Sequence, residues 1–321
     1  MGLSQPAGSS VSACMITRSP MREPAPDSAV SSRPRLLGLA YRMLGDVDEA
    51  EDVVQEAFLR WHLAEQETIR APEGWLVTVV TRLAVDRLRR LKTERASYPG
   101  PWLPEPIRTD GPLAPAAMPS PDRRVELASD LSVALLVLLE RLAPEERAAF
   151  LLRDVFDYDY ADIARILERS ADAVRQMVSR ARARVQSDRT RVATDPGEHE
   201  RLLERFLDAV IADDAEGVMA LLAPDVVLAG DGGGRAAAAR NVISGRDRIT
   251  RFLLGVRRKF APSYSHRIRY LNGEPALITF DHATVISTMS LSLSEGRIEA
   301  IHIMRNPDKL RHVLASSVVL R

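Results

Sequence analysis

Apolar residues recur at helical spacing from Arg33 to Lys92 and again from Arg123 to Arg191, and between these stretches the prolines of Tyr98–Pro121 interrupt any periodic run. In the first stretch Leu36, Leu39, Ala40, Met43 and Leu44 share one helical face that stops at Gly45. Asp46, with Glu49 three residues later, predicts a capped start for the next helix, which buries Ala50, Val53, Val54, Ala57 and Trp61. Pro72 suits the first position of a third helix carrying Trp75, Leu76, Val79, Val80, Leu83 and Leu88. In the second stretch Pro144, followed by Glu145 and Glu146, opens a supporting helix. Asp159 or Tyr160 opens a short helix with Ile163, Ala164 and Leu167 inward. After a turn at Glu168 and Arg169, Ser170 caps a longer helix with Val174, Val178, Ala181 and Val185 on one face. Beyond Thr194, Asp195, Pro196 and Gly197 the pattern changes to two amphipathic helices and then β-branched runs at Ala276–Phe280, Ala283–Leu293 and Arg297–Met304. Helix first and sheet later predicts an α+β domain whose curved sheet packs on its helices.

A chain of 321 residues exceeds one ordinary core and implies two or three units. Residues 1–31 are rich in Ser, Pro and Ala and read as a disordered tail or an over-long start, with Met15 and Met21 as later initiators. The 44 basic and 44 acidic residues cancel, but they are segregated: Asp46–Glu56 is acidic, while Arg82–Arg95 and Arg169–Arg191 are basic. The single cysteine, Cys14, excludes an intramolecular disulfide framework and a cysteine-based zinc site, which fits a reducing cytoplasm. No apolar run has the length of a membrane span and no leader pattern is present, so the expectation is a soluble cytoplasmic protein without cofactor or metal.

Three surfaces carry candidate chemistry, each with a plainer alternative. Asp48, Glu49, Glu51, Asp52 and Glu56 form an acidic helix face that suits docking on a basic partner helix, or simply solvation. Arg82, Arg87, Arg89, Arg90 and Lys92 suit phosphate contacts along a nucleic-acid strand, or complement their helix's C-terminal dipole. On the last helix of the second stretch Asp172, Arg175, Gln176 and Ser179 point outward beside Arg180, Arg182 and Arg184. This is a helix-turn-helix arrangement in which Arg and Gln reach base edges and later arginines neutralise phosphates, unless the helix is an ordinary amphipathic one. Glu168 stands where a turn glycine is usual.

The order D-E-A-E-D-V-V-Q-E-A-F-L-R (Asp48–Arg60), then P-E-G-W-L-V-T-V-V-T-R-L-A-V-D-R-L-R (Pro72–Arg89), resembles region 2 of extracytoplasmic-function sigma factors. D-I-A-R-I-L-E-R-S-A-D-A-V-R-Q-M-V-S-R-A-R-A-R-V (Asp162–Val185) resembles sigma region 4. With W-L-P-E-P at Trp102–Pro106, D-G-G-G-R at Asp231–Arg235 and N-P-D-K-L at Asn306–Leu310, the chain resembles the sigma-factor group with a fused SnoaL-like domain, over roughly Arg33–Val313. The resemblance implies a multidomain chain: region 2 over 32–96, a Pro-rich linker over 97–122, a region 4 helix-turn-helix over 123–193, and an NTF2-like cone over 197–321. It implies core RNA polymerase, through its β′ coiled coil and β flap, and promoter DNA as partners, with no separate anti-sigma factor and no membrane.

By resemblance Asp48, Glu51, Asp52, Gln55 and Glu56 bind polymerase. Thr68, Ile69, Arg70, Arg82, Asp86 and Arg87 lie near the opened −10 strand. Thr81 and Arg82 occupy a neighbourhood where many relatives carry Asn. Ser170, Asp172, Arg175, Gln176, Ser179, Arg180 and Arg182 read the −35 element. Trp102, Leu103, Glu105, Asp231, Gly232, Gly233, Asn306, Pro307, Asp308, Lys309 and Leu310 make regulatory contacts between domains.

The cone fold further implies a cavity for a small ligand, with Tyr264, His266, Asp281 and His302 as lining residues. The competing reading is a small-molecule sensor or cavity enzyme using Asp231 or Asp281 with a histidine as acid and base. The expectation adopted is a non-enzymatic sigma factor, because fold alone does not confer chemistry and no nucleophile, phosphate-loop or metal motif is present. A plain helix-turn-helix repressor is the third reading.

Overall fold

A computed structural model describes residues 31–109, 131–187, 196–260 and 264–314. The expected N-terminal tail with Cys14, Met15 and Met21, and the linker beyond residue 109, lie outside these residues.

Three helices open the fold: α1 (Arg33–Leu44), α2 (Val47–Leu63) and α3 (Pro72–Arg95). Gly45 ends α1 in the left-handed region at φ 70°, and the Asp46 carboxylate caps α2 by accepting from Glu49 N–H. The next four are α4 (Val133–Leu139), α5 (Pro144–Phe150), α6 (Tyr160–Leu167) and α7 (Ala171–Ser187), with one π-type turn at Leu151–Val155 after α5. Asp159 caps α6 and Ser170 Oγ accepts from Ala173 N–H to cap α7. Glu168 takes the glycine's place by adopting φ 54°, so the turn keeps its left-handed geometry without glycine. The sequence predicts two separate helical modules flanking a linker. Instead, their apolar faces fuse into one core running from Leu36 to Val185. Arg42 and Arg147 are buried at the seam.

The C-terminal unit begins with α8 (Pro196–Ile211) and α9 (Ala215–Leu221), then β1 (Leu222–Asp231) and β2 (Ile243–Ser244). A further helix, α10 (Arg246–Phe260), precedes β3 (Tyr264–Leu271), β4 (Glu274–Asp281), β5 (Thr284–Ser294) and β6 (Arg297–Met304). The helix-then-sheet order is thus broken, because α10 lies between β2 and β3. The sheet order is β2-β1-β6-β5-β4-β3, antiparallel except for the parallel β1–β6 pair. Register shifts in β1, β4–β5 and β5–β6 are the irregularities that bend a sheet into a cone. Leu203, Phe206, Leu254, Leu277, Leu291 and Ile301 fill its concave side. Ala276, Ile278, Phe280 and Met304 face the other way, onto Leu103 of the linker, Leu310 at the end of the 3-10 turn Pro307–Leu310, and Val313 of the chain's last described turn, α11 (Arg311–Leu314). Both faces of β4 are therefore buried, which is why it reads as a continuous apolar run.

Candidate functional site

The end of β1 carries Asp231, whose side chain is 0% exposed. Its carboxylate accepts from Tyr98 Oη (2.6 Å), Leu103 N–H (3.0 Å), Gly233 N–H (3.0 Å) and Lys309 Nζ (2.8 Å). A buried charge persists only with such full pairing. Lys309, 6% exposed, also donates to Leu103 O at 2.7 Å and sits 4.0 Å from the Trp102 ring centroid. On the ring's account Arg95 stacks at 3.5 Å, so Trp102 is held by a cation from α3 and another from the C-terminal segment. Asn306 donates to Tyr98 Oη at 3.0 Å, and a Cβ on Gly233 would meet the Asn306 amide at 2.3 Å. Gly233 is required there, with φ 59°.

A second cluster fastens the linker to the first helices. Glu105 N–H donates to Gly45 O (2.8 Å), while the Glu105 carboxylate accepts from Val47 N–H (2.9 Å) and His312 Nδ1 (2.5 Å). Tyr41 Oη donates to Glu105 O (2.6 Å) and accepts from Asn272 Nδ2 (2.7 Å), joining α1, linker and the β3–β4 turn. Burial pushes the Tyr41 hydroxyl far up, so it stays a donor. Trp102 to Ile107 of the linker is packed between the first helices and the C-terminal sheet, and Arg108 bridges Leu271 beside it.

Of the residues expected between domains, Trp102, Leu103, Glu105, Asp231, Asn306, Lys309 and Leu310 meet there. Gly232, Gly233, Pro307 and Asp308 instead shape the two loops: Pro307 starts a 3-10 turn and Asp308 pairs with Arg235 inside the C-terminal unit. Sequence reasoning missed Tyr41, Tyr98, Asn272 and His312. Asn272-Gly273 was a legible turn signal, and Asn272 adopts φ 52° there, but its long-range amide contacts leave no local pattern.

The acidic face of α2 is partly covered. Asp48 pairs with Arg311 Nη2 at 2.9 Å and lies 3.6 Å from His312 Nε2, whereas Asp52 and Gln55 are exposed and Glu56 pairs with Arg60. Glu51 is half-buried.

The candidates for the opened strand divide. Thr68 and Arg70 are exposed, beside half-buried Ile69. Arg82 donates to Ile166 O (2.9 Å) and Arg165 O (3.1 Å) at the C-terminus of α6 and pairs with Glu168. Asp86 pairs with Arg89, and Arg87 is held by Glu49 and Glu94. Arg82, Asp86 and Arg87 are thus engaged within the chain rather than presented.

On α7 Ser170, Asp172, Arg175, Gln176, Ser179, Arg180 and Arg182 are all exposed, over the buried stripe Val174, Val178, Ala181 and Val185. Arg175 pairs with Asp172, and Arg182 with Asp154.

The Glu105 carboxylate holds the His312 imidazole above its ordinary value, with Asp48 adding to the effect and Arg311 opposing it. Burial likewise pushes Glu105 up, against the pull of His312 and Val47 N–H. A raised folded value contributes stability that is complete below the unfolded value and lost as pH rises through the folded one. The contact is therefore expected to be tightest below the ordinary imidazole value of about 6.5 and to loosen as pH rises above it. Proteolysis at the linker across pH measures this. A His312→Gln chain should give a flatter profile, and an unchanged profile would exclude His312 as the group responsible.

The cavity of the cone is lined by Tyr264 and His266, as expected, but Asp281 and His302 are not among its lining residues. Asp281 ends β4 and His302 is buried in the sheet. Asp231 is spent in the Lys309 cluster, so the acid and base of a cavity enzyme do not converge. Among the described residues no group of His, Cys, Asp and Glu has a metal-holding arrangement, and no helix is long and apolar enough to cross a membrane.

Family models for sigma-70 region 2, sigma-70 region 4 and a SnoaL-like domain match residues 30–94, 132–185 and 203–310. The ECF RNA polymerase sigma factor SigJ of Mycobacterium tuberculosis is 36% identical over 291 residues, spanning 86% of this chain and 90% of that protein. The probable ECF RNA polymerase sigma factor SigI of the same organism is 32% identical over 280 residues, spanning 87% and 92%. The crystal structure of M. tuberculosis SigJ aligns at 35% identity with a TM-score of 0.70, covering 88% of this chain and 96% of that one.

Proposed function

Because this chain belongs to the extracytoplasmic-function RNA polymerase sigma factors with a fused SnoaL-like domain, we propose that its C-terminal domain controls it by holding the promoter-reading helices closed. Its function is transcription initiation through RNA polymerase and promoter DNA, and it is not an enzyme. The observation that carries the regulatory reading is the Asp231–Lys309–Leu103 cluster, together with the Arg311–Asp48 pair on the acidic face of α2.

In this reading Asp48, Glu51, Asp52, Gln55 and Glu56 dock on the polymerase β′ coiled coil. Thr68, Ile69, Arg70, Arg82, Asp86 and Arg87 serve the −10 strand, and the exposed face of α7 from Ser170 to Arg182 reads the −35 element, with the β flap as the second polymerase contact. Promoter elements named −35 and −10 lie about 25 base pairs apart, roughly 85 Å at 3.4 Å per pair. Arg82 to Ile166 O is 2.9 Å, so the shared core must open before both elements are read at once. The C-terminal domain acts in cis, with no separate anti-sigma protein, in a cytoplasmic setting.

Run-off transcription with core polymerase tests both levels. A chain ending at Arg305 lacks Lys309, Arg311 and His312 and should bind polymerase about 10- to 100-fold more tightly than full length, as a closed state favoured by about 1.4–2.8 kcal/mol requires. No transcript from the full chain, from this one or from one ending at Asp195 would sink the sigma role. Equal affinity and yield would sink control in cis.

A further inference from the structure

The concave side of the sheet forms an open-mouthed cavity of about 290 Å³, walled by apolar groups that include Phe206, Leu228, Phe252 and Met289. At roughly the 30 Å³ that a water occupies in the liquid, it holds about ten non-hydrogen atoms. Three of the six large exposed hydrophobics among the described residues, Ile211 (44%), Val256 (38%) and Phe260 (38%), belong to this same lining and leave an apolar rim to water.

The polar part of the lining is cationic. The last turn of α10 carries Arg257, Arg258 and Lys259. Arg258 is taken by Asp213 and Lys259 lies over the Phe260 ring, while Arg257 lines the cavity and has no hydrogen bond or ion pair among the described residues. Arg305, on the same wall, is oriented by donating to Ala237 O at 2.7 Å. His266 shares a hydrogen bond with Thr279 Oγ1, and burial together with Arg257 lowers its pKa, so it offers a polar neutral ring. Among the described residues no carboxylate lines the cavity to neutralise Arg257. An apolar chamber with a few convergent polar groups is the general form of a small-molecule site, and here the unmatched charge fixes the sign of its ligand.

We infer that this cavity binds an amphipathic organic anion of about ten non-hydrogen atoms, an aliphatic or aromatic carboxylate, with its apolar body against Phe206 and Met289 and its anionic end on Arg257. Gly230 and Arg305 form part of the wall, and their chain neighbours Asp231 and Asn306 make the contacts to the linker. Occupancy is thereby placed one residue from the proposed regulatory cluster. Binding itself does not rest on that reading.

Calorimetric titration of the full chain with octanoate and 4-phenylbutanoate, each against the alcohol of the same skeleton, tests the assignment without polymerase or DNA. Failure here leaves cis control standing, and a transcriptionally silent chain leaves this test intact. Each acid should bind saturably at one site per chain, about tenfold or more tighter than its alcohol. Arg257→Gln should bring the acid down to the alcohol's affinity while the alcohol's own stays unchanged. Met289→Trp should block both. Equal affinity for acid and alcohol, insensitivity to Arg257→Gln, or no saturable binding of any of the four would overturn it. Because Arg257 is on the last turn of α10 and has no ion pair among the described residues, its variant keeps the test valid even if the Met289 variant fails to fold.

Discussion

Replacing Lys309 with methionine is expected to destabilise the closed chain by about 3–5 kcal/mol, the usual penalty for removing one partner of a buried ion pair. Methionine keeps most of the apolar stem that packs on Trp102 and removes only the charge. Asp231 would then remain fully buried with three donors, Tyr98 Oη, Leu103 N–H and Gly233 N–H, and no cation, while Leu103 O would lose its donor. Burial already lowers the Lys309 pKa against the attraction of Asp231, so the lysine is desolvated and its charge is retained by that partner. Urea unfolding followed by tryptophan fluorescence reports the loss directly, since Trp102 lies against Lys309. Adding Asp231→Asn removes the orphaned charge and should recover most of the stability. The assignment fails if Lys309→Met lies within about 0.5 kcal/mol of the parent, the range of an ordinary surface change, or if Asp231→Asn brings no recovery.

The helices were legible because their signals are local. Asp46, Asp159 and Ser170 cap where the side-chain chemistry places them, and Pro144 begins its helix. The last three strands were legible for a related reason: β4 is apolar on both faces, and β5 and β6 are rich in β-branched residues. The first and third strands were not. β1 contains Pro224 and runs into the glycines that follow Asp231, and β3 alternates exposed arginines with half-buried residues as an edge strand does. The fusion of both helical stretches into one core also left no trace in periodicity. An apolar face shows that a helix is covered but not by what, and Leu88 and Leu136 carry the same pattern whichever partner they meet.

The candidate sites were legible to different depths for the same reason. Short motifs brought Trp102, Asp231 and Lys309 to attention, but not why they belong together. The answer lies in three segments more than 70 residues apart, whose buried charges and carbonyls satisfy one another. On α7 exposure follows directly from helical phase, so the outward residues could be named from the sequence. For Arg82 nothing local reveals that the carbonyls ending α6 lie within its reach.

Those carbonyls point to the seam itself, where Arg147→Met is expected to loosen the union of α1–α3 with α4–α7 by about 2–4 kcal/mol. Arg147 is 2% exposed; its Nε donates to Arg42 O at 3.0 Å and its Nη1 to Glu140 at 2.5 Å. Arg42 O is one of the four carbonyls that the end of α1 leaves without a helical partner. Another, Leu44 O, accepts from Arg95 Nη2, and Arg95 shares Glu140 with Arg147. Two arginines from different stretches therefore cap one helix end and meet on one carboxylate. Removing Arg147 strands the Arg42 carbonyl and halves the charge on Glu140's partners. Arg82→Met makes the comparison: its pair with Glu168 is largely exposed and screened, and its hydrogen bonds to Ile166 O and Arg165 O lie near the surface, so its loss should cost about 1–2 kcal/mol, less than that of Arg147. Amide exchange separates opening from general unfolding. Faster exchange across α6 and α7 with α2 still protected is the signature of a seam that parts, whereas a uniform loss of protection would make Arg147 a residue of the core alone and leave closure to the Lys309 cluster.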